Sequence, residues 1–262
     1  MKKNRTEKAS RRLDHIKSHL DAGYDLELLI GLINSGSGDV RSCVNSLSSH
    51  ALASALWQWF EDNNLIGFKS WLSISGQLRK YSYSIKTDSS GALGKKMQLM
   101  APLLSDDEDL IKWFSEENND AFDLADAENP KKIDSVAYQA ILAIRGNWDK
   151  LKEKSEIFLA SPSSSLKKYV VDMEFYSALA SKDIDKMSEA IQQLVSPKFI
   201  ASRSNSESGY TDGLISTFAV IYSKIAWRHG FKINIKSPYV PEEWLPISPL
   251  NEYKLFYDFL KI

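Results

Sequence analysis

Cysteine is nearly absent. Cys43 stands alone among 262 residues, so no disulfide can form within the chain and nothing points to an oxidising compartment. A basic excess is missing too: 33 Lys and Arg against 34 Asp and Glu leave a net charge of −1, which argues against a general nucleic-acid binder. No apolar run approaches the ~20 residues of a membrane span, and no apolar core follows the basic N-terminus as a signal peptide requires. The expected location is the cytoplasm, with no membrane and no nucleic acid as partner.

Catalytic motifs are also lacking. Neither G-x-x-x-x-G-K-[ST] nor G-x-G-x-x-G is present to cradle phosphates. Gly36-Ser37-Gly38 lacks the strand and first glycine of a nucleophile elbow and reads as a loop serine. His15 and His19 stand at the i, i+4 spacing of one helix face, but the glutamate of H-E-x-x-H is missing and Lys17 would repel a cation. No nucleophile, base or metal set emerges, so the expectation is a binding protein, not an enzyme, with no cofactor and no metal.

Strict alternation of apolar and polar residues occurs once, where Phe231, Ile233 and Ile235 interleave with Lys232, Asn234 and Lys236. One extended connector near residues 231–235 does not make a sheet. Helical periodicity fills the rest. Ile133, Val136, Ala137, Ala140, Ile141 and Ile144 form one stripe, Val44, Leu47, Ala51, Ala55 and Trp59 another, and residues 65–83 a third. Leu214, Ile215, Phe218, Ala219, Ile221, Tyr222 and Ile225 leave little polar face, which marks a central helix. The fold class is all-α, in a single domain opening on a basic helix over residues 1–20.

A weak internal repeat adds architecture. Ala143-Ile-Arg-Gly-Asn-Trp-Asp-Lys-Leu151 is echoed by Ala178-Leu-Ala-Ser-Lys-Asp-Ile-Asp-Lys-Met187, and each is followed by Ser-Pro, at Ser161-Pro162 and Ser196-Pro197. The offset of 35 or 36 residues is about that of tetratricopeptide arrays, so residues 130–197 read as two helical hairpins with turns at Gly146-Asn147 and Ser181-Lys182. Residues 202–209 form a Ser-rich loop. The segment 238–249 carries four prolines and should run extended, with residues 251–260 closing the chain as a short helix.

Charge is segregated along the chain. Residues 105–129 hold Asp106, Asp107, Glu108, Asp109, Glu116, Glu117, Asp120, Asp123, Asp126 and Glu128 against the one base Lys112. Two readings stand: a solvated face with aspartates at helix N-termini, or a face that binds a basic partner. The partner-binding candidates are Asp106, Asp107, Glu108, Asp109, Glu116, Glu117, Asp120 and Asp123. The basic N-terminal segment mirrors the acids and would pair with them within the chain or in a second copy, or else form an exposed face. The oligomeric state is open, a homo-oligomer included.

The stretch Gly213-Leu-Ile-Ser-Thr-Phe-Ala-Val-Ile-Tyr-Ser-Lys-Ile-Ala226, with His229-Gly230-Phe231, Ile233-Asn-Ile235 and Ser237-Pro238-Tyr239-Val240-Pro241, resembles the C-terminal signature of the immunity protein 49 family. The resemblance implies a bacterial cytosolic protein that neutralises a cognate polymorphic toxin without catalysis. A cytosolic antidote and an acidic stretch together suit a basic, cytosol-acting toxin, such as a nuclease or nucleotide-modifying enzyme. Ser237, Pro238, Tyr239 and Pro241 read as a structural motif tying the tail across the helices. The alternative is a helical-repeat scaffold holding a peptide or protein in a groove.

Overall fold

The computed structural model describes residues 6–85, 90–117 and 122–261. Fourteen α-helices lie in them and no strand does. Short polar residues start many of these helices. The side chains of Thr6, Asp25 and Asp39 accept from the third residue on, opening α1 (Glu7–Ala22), α2 (Leu26–Ser35) and α3 (Val40–Phe60). Asn64 does the same for α4 (Leu65–Ile85), through Gly67 N–H. The long α3 and α4 pack along their length. Three short helices follow, α5 (Ala92–Met97), α6 (Met100–Ser105) and α7 (Glu108–Lys112), and α7 runs into a π-helical turn over Trp113–Glu117.

After α8 (Leu124–Glu128) come the two hairpins: α9 (Ile133–Ile144) with α10 (Trp148–Ala160), then α11 (Val170–Ala180) with α12 (Ile184–Leu194). Their turns are built alike. Asn147 N–H bonds to Leu142 O at 3.0 Å and Asp183 N–H to Ala178 O at 2.9 Å, each closing the helix before it around a residue of positive φ, Gly146 at 68° and Lys182 at 59°. Pro197 then sits in the first turn of α13 (Pro197–Arg203).

The central helix is α14 (Thr217–Arg228), in which every residue from Thr217 to Ala226 is buried. It begins later than the apolar pattern suggests, because residues 210–214 form turns. The Ser-rich 202–209 stretch is anchored at its end. Glu207, half-buried, accepts from the Thr217 backbone N–H and from the hydroxyls of Thr211 and Thr217, so it caps α14 from outside the helix.

Beyond α14 the chain runs extended, with Ile233 and Ile235 buried between exposed Lys232, Asn234 and Lys236. The expected closing helix is absent. Within 251–260 there is one 3-10 turn, Asp258–Leu260, and the buried residues Tyr257 and Phe259 are two apart, a spacing that suits extended chain and not a helix. They join a small second core with Ile33, Val44, Leu47, Ile74 and Leu78; the main core holds α14 and the hairpins together with parts of α1, α3, α4 and α6.

Candidate interaction surface

The acidic segment divides by burial. Asp106 is fully buried and lies 2.7 Å from Lys69 Nζ and 2.8 Å from Lys224 Nζ, with Arg228 at 4.0 Å. It also accepts the Ser248 backbone N–H at 3.1 Å, while Lys224 donates to the carbonyls of Trp244 and Pro246. Burial pulls Lys224 down to about 8 against the opposing pull of Asp106, so it is charged at neutral pH. Asp107 is 5% exposed, caps α7 through Leu110 N–H and accepts from the Ser73 hydroxyl at 2.7 Å. Both residues were expected on a partner-facing surface; being buried and bonded, they have no part in an exposed face.

The remaining acids lie outward. Glu108 is exposed and meets Arg228 through both carboxylate oxygens, at 2.8 and 2.6 Å. Asp109 and Glu116 are exposed, and Asp123 is exposed while capping α8. Asp126 pairs with Lys132, and Glu128 with Lys150 and Lys154. Glu117 ends the π-helical turn, and Asp120 lies outside the described residues. The local acid surplus is therefore partly cancelled by bases that arrive from α4, α10 and α14. The N-terminal bases take no part in this among the described residues: Lys8 and Arg12 pair with Asp212, and Arg11 with Glu7.

The tail motif forms a turn. Tyr239 N–H donates to Ser237 Oγ and Val240 N–H to Ser237 O, while Ser216 N–H bonds to Tyr239 O and fastens the turn to the start of α14. Pro238 is exposed, Tyr239 half-buried and Pro241 buried. This turn is one wall of an open, mostly apolar cleft of about 300 Å³, completed by Ala9 of α1 and its cap Thr6, Phe60 of α3 and Leu214, with the exposed Glu242 and Glu243 also lining it. A more polar groove of about 350 Å³ lies along the hairpins, lined by Leu159, Glu174, Ser177, Asp183, Lys186 and Glu189. Neither was visible in the sequence, since each is made by side chains from three or more separate segments.

A second buried polar cluster joins the halves of the chain. Asp172 is fully buried, held by the Arg203 guanidinium and the Tyr222 hydroxyl, with Lys96 Nζ at 3.9 Å and 2.8 Å from Tyr222 Oη. The cations keep Asp172 below the usual carboxylate range although burial pushes the other way. No helix among the described residues is long and apolar enough to cross a membrane.

The chain is thus an all-α protein with buried polar clusters inside and charged faces and open clefts outside. Residues 129–244, from just before α9 to Trp244, match the family model of Immunity protein 49, which bears out the resemblance carried by the C-terminal motifs. No curated protein and no solved structure matches the chain.

Proposed function

We propose that the protein is an immunity protein that binds a cognate bacterial toxin in the cytoplasm and neutralises it without catalysis. The match over residues 129–244 carries this reading. The surface supports a mechanism in which the exposed acids Glu108, Asp109, Glu116 and Asp123, with Glu117 and Asp120 on the same stretch of chain, cover a basic active-site groove of a nuclease or nucleotide-modifying enzyme. Such a face steers a basic partner and blocks it sterically.

Co-expression with the product of the gene adjacent to this chain's own tests the first claim, read as cell survival and as a complex on size-exclusion chromatography. The double variant Asp109→Lys/Glu116→Lys tests the second. Both side chains are exposed and neither caps a helix, so folding is spared. Association should slow by about tenfold or more at low salt, and its salt dependence should flatten. An unchanged rate and salt response would remove the acidic face and leave immunity standing. The groove along the hairpins favours a second reading, a scaffold for an extended peptide; charge-neutral variants at Glu174 and Glu189 that abolish complex formation, with Asp109 and Glu116 variants silent, would favour it.

A further inference from the structure

Three of the four histidines, His15, His19 and His50, meet in one seam where α1 packs on α3 and on the 207–213 loop. The rings of His19 and His50 are 5.5 Å apart. His19 Nδ1 lies 3.0 Å from Tyr210 Oη, and His15 stacks on the Tyr210 ring at 5.7 Å. The remaining nitrogens, Nε2 of His19 and Nδ1 of His50, are buried with no hydrogen-bond partner among the described residues.

We propose that this seam is an acid-sensitive latch: protonation of His19 and His50 releases α1 from α3 and from the 207–213 loop. A proton on both rings sets two positive charges side by side. It also gives each ring a second N–H, while a ring nitrogen on each already lies buried without a partner. Around His19 stand His15 from its own helix, Tyr24 beyond the helix end, His50 from α3 and Tyr210 from the loop; around His50 stand His19 and, edge-on, Trp71 of α4. Among the described residues no carboxylate acts on either ring. Asp212 is engaged by Lys8 and Arg12, and Glu207 by Thr211 and Thr217.

Burial first, then His50 and His15, hold His19 below the ordinary value of 6.5, and burial lowers His50 likewise. The unfolded seam therefore binds more protons than the closed one. Its stability is complete above about pH 6.5 and is lost as the pH falls through the depressed values. Release has a consequence for binding, because α1 and its cap contribute Ala9 and Thr6 to the wall of the tail-motif cleft and the 207–214 segment contributes Gly213 and Leu214. Opening the latch widens that cleft.

Hydrogen–deuterium exchange of the full chain at about pH 7.5 and pH 5.5, corrected for intrinsic rates, tests the latch. Exchange in α1 should accelerate relative to α11 by about tenfold per pH unit for each proton taken up. The variant His19→Gln/His50→Gln should abolish this acceleration while the region around His229, also held low by burial, still responds to acid. NMR titration of the wild-type histidines is decisive should that variant not fold: His19 and His50 must titrate below the ordinary value. Exchange in α1 that tracks α11 at both pH values, a full acid response in the variant, or ordinary titration of both rings overturns the proposal.

Discussion

Asp106 belongs by sequence to the densest acid run in the chain, yet it is sealed against Lys69 and Lys224. Those partners lie dozens of residues away, and a linear charge count has no access to them. Removing one member of a buried ion cluster leaves the others charged and unpaired, so Asp106→Ala should destabilise the fold by about 3–5 kcal/mol. The exposed Asp109→Ala should stay within about 0.5 kcal/mol. Chemical denaturation of the two variants separates them, and equal midpoints would mean that Asp106 is not the anchor described. Trp244 is the apolar counterpart. It stands in the segment 238–249, among four prolines and with no helical stripe around it. Folding brings it to full burial, stacked 4.3 Å from Phe68 and edge-on to Trp59 and Phe60. Trp244→Ala should cost about 3–5 kcal/mol, and a loss below about 1 kcal/mol would contradict that packing.

Among the elements, periodicity made the helices legible because most bury one face against a common core. The hairpin turns were legible too, for a reason the hydrogen bonds supply: each needs a residue of positive φ after a helix, and the sequence marks one with Gly146. The equivalent position in the second hairpin is Lys182, where the side chain bears the left-handed conformation at a cost. Lys182→Gly should therefore stabilise the protein by up to about 1 kcal/mol, and Gly146→Ala should destabilise it by about the same amount. Opposite signs in thermal melts are the expected result; a destabilising Lys182→Gly would show that the turn is held by something other than its backbone. The reading failed at residues 251–260 for a comparable physical reason. A short apolar segment is ambiguous in period, and docking of Tyr257 and Phe259 into the second core decided for extended chain.

On the scale of the whole molecule, the region that matches the Immunity protein 49 model and the structural unit are different things. The match spans residues 129–244, but the pocket for Trp244 is made by Trp59, Phe60 and Phe68. Lys224 needs Asp106, and the Asp172 cluster includes Lys96 from α5. One continuous core takes in both halves. Cut out alone, residues 129–244 would expose the apolar face of α14, leave Lys224 without its carboxylate and strip Trp244 of its stack. Such a fragment cannot recover by rearrangement what an entire facing layer supplied. It should retain helical signal in the far ultraviolet, yet melt without a cooperative transition, whereas the full chain should unfold sharply. A fragment with a sharp, reversible melt near that of the full chain would show that the first half is an appendage, and the α1 latch and the acidic segment would then have to act on a partner without the support of the fold.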